Sequence, residues 1–322
     1  MNRPSALFKI LRGLIVAVTT PFNKDLSLDL GGMRALVDFY CQERVGPLII
    51  GGSTGEFHAL TIAERQRIVE VAVEQARGRL PIIAGCAHSG TQIALDLVRH
   101  AARAGAVGAM VTPPYYGFAG LEGLRRHYQI INDGCGLGVL VYFSTPVVPM
   151  VQDIIANPAL FETLARIPNI VGLKDSTGNY GFYRDMSLRF KNRVAVIGSG
   201  GMGCYLWGVD FGSPGVLTGL GNIWPREEMN FMDALRRGRR AQALRFVIEK
   251  DRPYLDAWRA VGGRFYFAMV KALLDMVGLP GGPMRPPLLD WPKEKKPMLR
   301  AAMERIGLLA PRRRRPKRGR AR

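Results

Sequence analysis

"TIAERQRIVEVAVEQARGRLPIIAG", residues 61–85, holds one helix-length amphipathic stretch followed by one short apolar run. Ile62, Ile68, Val69, Ala72 and Val73 fall on one face at the 3.6-residue helical period. Thr61 followed by Glu64 is a capping-box pair that predicts where this helix starts, and Gly78 predicts where it stops. The run "PIIAG" (81–85) is continuous rather than alternating, the pattern of a parallel strand covered on both faces. The stretch is thus the helix-then-strand half of a βα repeat.

Seven further apolar runs of the same kind lie at intervals of roughly 20 to 35 residues, the span of one βα unit. They are "LIVAV" at 14, "PLII" at 47, "GAMVT" at 108, "GVLVY" at 138, "NIVGLK" at 169, "VAVIG" at 194 and "PGVLTG" at 214. A second amphipathic unit, "TQIALDLVRHAARAG" (91–105), ends on glycine as the first does. Eight βα units in a chain of 322 residues predict an α/β fold, a closed (β/α)8 TIM barrel over residues 1–225. After Pro225 the strand pattern stops. Residues 226–311 read as a C-terminal helical extension containing "RFYFAMVKALLDMVG" (264–278), a turn-rich "LPGGPMRPPL" and "KPMLRAAMERIG".

The net charge of +19 resembles that of a nucleic-acid binder until it is located. Eight positive charges fall in "PRRRRPKRGRAR" (311–322), leaving +11 for the rest, so residues 312–322 read as a disordered, solvated tail. Any nucleic-acid contact is expected only through that tail and only weakly, with strong salt dependence. Cys41, Cys86, Cys135 and Cys204 are scattered, with no paired spacing and no histidine at ligand distance, which predicts reduced thiols, a cytoplasmic location and no metal site. The segment "LFKILRGLIVAVTTPF" has basic residues before an apolar stretch, but Thr19, Thr20 and Pro21 interrupt it. It reads as a first buried strand rather than a leader. No apolar run is long enough to span a bilayer.

Catalytic groups of such a barrel sit at the C-terminal ends of its strands. Strand 6 ends in "VGLKDSTGN" (171–179), where an apolar run finishes on Lys174. A lysine there either snorkels to solvent or is held partly dehydrated, with its pKa lowered so that the amine attacks a carbonyl. Strand 2 ends in "GGSTGEF" (51–57), where Ser53 and Thr54 offer hydroxyls and glycines let backbone N–H groups approach an anion. Strand 5 ends in "VYFSTP", with Tyr142 placed to donate and accept protons opposite the lysine. Each feature has an ordinary reading as a tight turn or a packed aromatic. Together they form the set an imine-forming enzyme needs: a lysine nucleophile, a carboxylate site and a hydroxyl relay.

The motifs "GLIVAVTTPF", "GGSTGEFHALTIAER", "AGAVGAMVTPPYYG", "VGLKDSTGN", "SPGVLTGLGNIWP" and "GLPGGPMRPPL" run in order from about Gly13 to about Leu308. In this the chain resembles the dihydrodipicolinate synthase / N-acetylneuraminate lyase family of class I Schiff-base aldolases and dehydratases. The resemblance implies that Lys174 is the Schiff-base lysine and Tyr142 its proton donor and acceptor. It implies that Ser53 and Thr54 bind the keto-acid carboxylate and join the relay, with Gly52 and Thr218 completing the substrate-binding set. Tyr116 stands where family members supply a catalytic tyrosine across a tight dimer interface, implying a homo-oligomer, a dimer of dimers. No metal or organic cofactor is implied, since the protonated imine is itself the electron sink. The substrates implied are pyruvate or another 2-keto acid, with an aldehyde or a sugar acid.

The chain also departs from that pattern. Where true dihydrodipicolinate synthases resemble Y-N-x-P-x-R, this sequence has "YFSTPVVPM". Phe143 replaces the asparagine and Val147 or Val148 the arginine, and an apolar side chain cannot make the bidentate carboxylate pair of a guanidinium. The reading is therefore a lyase making or breaking a C–C bond on a 2-keto acid, with dehydration of a keto-deoxy sugar acid through the same imine as the alternative. Other readings fare worse. "VIGSGGMG" (196–203) matches the dinucleotide-binding G-x-G-x-x-G, but no acidic residue ends the next strand, and the motif reads as a strand-7 loop. His58, His88, His100 and His127 are too dispersed for a metal, and Glu56 and Asp175 are assigned hydrogen-bonding roles in their loops. An inactive barrel scaffold with a nucleic-acid-binding tail is the rival from another class.

Overall fold

The computed structural model describes residues 3–117, 120–145, 148, 150–260 and 266–311. Eight strands close into a barrel in sequence order: β1 (Gly13–Ala17), β2 (Leu48–Ile50), β3 (Ile82–Gly85), β4 (Gly108–Val111), β5 (Val139–Phe143), β6 (Ile170–Asp175), β7 (Ala195–Ser199) and β8 (Gly215–Thr218). Every pairing is parallel, and β1 closes the ring on β8 with Gly13 opposite Gly215. All eight apolar runs of the sequence are strands. The closed ring excludes the open dinucleotide-binding sheet that "VIGSGGMG" suggests by motif alone.

The helices in chain order are α1 (Arg3–Ile10), α2 (Leu30–Glu43), α3 (Ile62–Ala76), α4 (Thr91–Ala104), α5 (Gly120–Gly134), α6 (Val151–Ala156), α7 (Ala159–Ala165), α8 (Tyr180–Phe190) and α9 (Met202–Gly208). After β8 come α10 (Pro225–Arg236), α11 (Arg240–Phe246), α12 (Arg252–Arg259), α13 (Tyr266–Met276) and α14 (Lys296–Arg305). At the head of α3 the capping box forms in full: Glu64 N–H donates to Thr61 Oγ1 at 3.2 Å, and Thr61 N–H to Glu64 Oε2 at 2.9 Å. The helix ends at Ala76, with Arg77 as its C-cap in the left-handed region and the predicted Gly78 directly after it at φ 75°. Ile68, Val69 and Ala72 are buried as the periodicity demands, whereas Ile62 is 39% exposed, because the first turn of α3 overhangs the core.

Two cores result. Outward-facing strand residues such as Val16, Ile50, Val141, Phe143 and Leu173 join the helices in one large cluster. Inward-facing Ile15, Ala17, Ile49, Ile83, Met110, Leu140, Ile197 and Leu217 fill the barrel. Leu7 of α1 and Leu11 just after it cap this inner cluster from below. The fit is tight enough that a Cβ on Gly108 would lie 2.7 Å from Leu7, and one on Gly172 2.5 Å from Leu11. The predicted first strand is therefore preceded by a helix that plugs the barrel, in the segment whose charge pattern imitates a leader. The tail, residues 312–322, lies outside the described residues. No helix among the described residues is long and apolar enough to cross a membrane.

Candidate active site

Lys174 faces the barrel interior because of one irregularity. Between β5 and β6, Val139 pairs with Ile170, but Leu140 pairs with Gly172, so Val171 is an extra residue in β6. A strand alternates faces with a period of two, and the bulge shifts that alternation by one. Downstream, Val141 and Leu173 face outward together, and Tyr142 and Lys174 face inward together as direct partners. Without the bulge, Leu173 would face in and Lys174 would face the helices.

The result is a lysine only 4% exposed, its Nζ 3.7 Å from the centroid of the Tyr142 ring. Burial holds its amine below the ordinary lysine range, and the tyrosine offsets this only in part. Burial also pushes the Tyr142 phenol upward, but the Lys174 charge and the Ser144, Ser53 and Ser176 hydroxyls outweigh it and the net shift is downward. The Lys174 share of that downward pull exists only while the lysine is protonated, so the two groups titrate together. The direction that bears on nucleophilic chemistry is the fall of the lysine, caused by desolvation.

A cavity of about 440 Å³ opens above this pair at the C-terminal end of the barrel. Ser53 and Thr54 enter it from the loop after β2, Ser176 follows Lys174, and Ser199 ends β7. The Ser176 and Ser199 hydroxyls are hydrogen-bonded to each other. A larger cleft of about 750 Å³ lies at the opposite end, against Arg12, Gly13, Gly46 and Pro214, but it has no lysine and no hydroxyl cluster. The chemistry therefore belongs to the smaller one.

The strand-2 loop is a compact turn. Gly55 N–H donates to Gly52 O and Glu56 N–H to Ser53 O, both at 3.0 Å, while the Thr20 hydroxyl donates to Gly55 O at 2.7 Å. Gly52 is buried beneath it, 3.0 Å from Met110 Cε at its would-be Cβ. Glu56, at φ 58°, is fully buried. Its carboxylate reaches beyond its own loop to Lys271 of α13 at 2.7 Å and accepts the Arg285 N–H at 3.0 Å. Asp175 does stay local, accepting Thr177 N–H at 2.8 Å, and burial raises its pKa to about 6.

The other expected residues fall apart from this group in instructive ways. Thr218 lines the cavity, yet it shares the outward side of β8 with Val216. Its hydroxyl donates to the wholly buried Glu228 of α10 at 2.5 Å. Tyr116 is 86% exposed and does not line the cavity; its N–H donates to Ser89 Oγ at 3.0 Å. Phe143 packs outward against Phe161 and Phe182, so this position offers the cavity nothing. Val148 is fully buried, and Val147 lies outside the described residues. Lys174 is the one cation among the described cavity-lining residues. The glycines of the strand-7 loop do form part of the wall, as Gly200 and Gly201. Sequence reasoning missed Ser144, Ser176 and Ser199, which carry no motif beyond their places at strand ends. It also missed the roof supplied by the extension: Asp251, Tyr254, Trp258 and Tyr266.

Among the described residues, no group of three or more metal-ligating side chains occurs. Cys41, Cys86, Cys135 and Cys204 are unpaired.

Residues 10–306 match the Dihydrodipicolinate synthetase family. The chain is 31% identical to the 4-hydroxy-tetrahydrodipicolinate synthase of Dechloromonas aromatica, over 94% of this chain and all of that protein. It is 33% identical to a probable 5-dehydro-4-deoxyglucarate dehydratase of Saccharopolyspora erythraea, over 88% of this chain and 89% of that one. Among solved structures, it superimposes with a TM-score of 0.81 on YagE, a prophage protein of E. coli K12 belonging to the dihydrodipicolinic acid synthase family and solved with pyruvate. That match is 26% identical and covers 92% of this chain and 99% of that one. With the same barrel and an alignment running through strands and extension alike, the chain belongs to the dihydrodipicolinate synthetase family of lysine Schiff-base lyases.

Proposed function

We propose that this protein is a class I lyase in which Lys174 forms an imine with pyruvate or another 2-keto acid and a C–C bond is then made or broken. The observation that carries this reading is the inward-facing, desolvated Lys174 beside Tyr142 in a cavity ringed by hydroxyls. The neutral amine attacks the keto carbon; the carbinolamine loses water, and the protonated imine accepts the electron pair of the bond that breaks. Tyr142 moves the protons of these steps, and Ser53 and Thr54 hold the carboxylate. Tyr116 completes the relay from a second copy of the chain, within a dimer of dimers, in the cytoplasm.

The described residues offer little support for the second substrate of a 4-hydroxy-tetrahydrodipicolinate synthase. Val148 is apolar and buried, and Lys174, committed to the imine, leaves no described cavity cation for a second carboxylate. Dehydration of a keto-deoxy sugar acid is the second reading, favoured by the similarity to a probable dehydratase over 88% of the chain. The test is borohydride reduction in the presence of pyruvate, followed by intact mass and peptide mapping. A pyruvyl adduct on Lys174, absent in Lys174→Ala, is the expected result; an adduct elsewhere, or none in folded protein, overturns the mechanism.

A further inference from the structure

The helical extension reaches the strand-2 loop through a buried ion pair. Lys271 Nζ donates to Glu56 Oε1 at 2.7 Å and to Pro283 O at 2.6 Å, and the two charged side chains are 2% and 0% exposed. The second oxygen, Oε2, accepts Arg285 N–H, so both carboxylate oxygens are held from the extension. Arg285 then fastens the same segment to the far side of the loop. Its guanidinium grips Glu64 at 2.6 and 2.8 Å and donates to the carbonyls of Leu26 and Ala59. Phe22 lies beneath both cations, 4.5 Å from Lys271 Nζ and 4.4 Å from the Arg285 guanidinium carbon.

Glu56 is a costly place for a non-glycine residue. It sits at φ 58°, two residues after Thr54, and its N–H closes the turn on Ser53 O. A left-handed residue persists only where its surroundings over-determine it, and here the surroundings are the contacts from the extension. A buried charge pair is weak evidence for net stability, since desolvation cancels most of its attraction. Its geometric effect is different, because it fixes where one residue of a loop must lie.

We propose that Lys271 is a positioning residue for the keto-acid site, holding Ser53 and Thr54 in their binding geometry through its ion pair with Glu56. This rests on the reading of Ser53 and Thr54 as the carboxylate site. The helical extension is then part of the binding apparatus: it sets the affinity for the anchoring carboxylate without touching substrate.

The experiment is borohydride trapping on the full chain as a function of pyruvate concentration, with thermal unfolding measured alongside. Lys271→Met leaves Glu56 buried and uncompensated, so the double variant Lys271→Met/Glu56→Gln, which removes both charges, is measured with it. In whichever of these folds, the pyruvate concentration for half-maximal labelling should rise about tenfold or more, the weight of one lost charge-assisted contact, with maximal labelling reduced much less. Lys271→Arg should recover part of the shift. Altered stability with unmoved half-saturation in the double variant overturns the proposal. Absence of an adduct in the wild type overturns the Schiff-base reading and this inference with it, whereas a normal wild-type adduct separates the two.

Discussion

Lys174 shows what a single residue in a sequence can and cannot reveal. A lysine closing an apolar run is legible as an anomaly, because burial of an ammonium costs far more than a strand end saves. The tyrosine partner is legible only by its place at another strand end, and the surrounding serines are not legible at all, since serine ends many strands for no chemical reason. Tyr142→Phe keeps the ring over Lys174 Nζ and removes the hydroxyl. Exchange of the pyruvate methyl hydrogens for solvent deuterium, followed by NMR, should slow by roughly 10²-fold or more, the range of a lost acid–base group. The Lys174 adduct should still form. Exchange at the wild-type rate would remove Tyr142 from the proton path. Asp175 gives a second prediction, on stability. Its pKa is raised from about 3.9 in the unfolded chain to about 6, so the folded state retains a proton that the unfolded state has lost. The carboxylate therefore opposes folding above about pH 6, and this penalty fades as pH falls toward 4. Asp175→Asn keeps an acceptor for Thr177 N–H and should stabilise the protein at pH 8 by up to about 3 kcal/mol, with the gain gone near pH 4. Urea unfolding at both pH values checks this, and an equal difference at both would refute the assignment.

Elements are where periodicity reads well and where its exceptions matter most. Continuous apolar runs give the strands, because a parallel strand must bury both faces. The same rule cannot place the bulge at Val171, since one extra apolar residue in an apolar run changes no pattern. Yet that bulge decides which face Lys174 takes. Helix α1 escapes for a related reason: "RPSALFKI" is short, and its Leu7, with Leu11 just after it, is buried by a barrel base that only the closed sheet creates. The strand-7 loop was legible as glycine-rich but not in its reason. Gly201 has φ 102°, and a Cβ there would lie 2.7 Å from Asp251 Oδ2, whose carboxylate accepts Gly203 N–H. Asp251 closes a π-helical turn, Val247–Asp251, that joins α11 to α12 at the cavity wall. Gly201→Ala should therefore cost about 1–3 kcal/mol and reduce pyruvate trapping. Gly238→Ala meets the same conformational difficulty, at φ 71°, with nothing within 4 Å and no place in the cavity, so it should cost stability alone. Equal trapping by the two variants would mean that the loop does not shape the site.

At the scale of the whole molecule, the extension is legible as helices but not as part of the site. Its decisive contact joins Lys271 to Glu56 across 215 residues, and no local pattern predicts such a pairing. Charge is the opposite case, since its distribution is read directly from the chain. With eight of the positive charges in residues 312–322, association with a polyanion is governed by counterion release, and its free energy scales with the number of charges engaged. The rest of the chain, barrel and extension together at +11, keeps interspersed ion pairs such as Arg34–Glu74 and Arg226–Glu43, which cancel its field locally. Deleting 312–322 should therefore move elution from heparin to markedly lower salt and flatten the salt dependence of RNA binding, with the melting temperature and the Lys174–pyruvate adduct unchanged. Unchanged elution would place the polyanion site on the body instead. Loss of the adduct on deletion would mean that the tail acts on the catalytic cavity, and an accessory role for those charges would then be wrong.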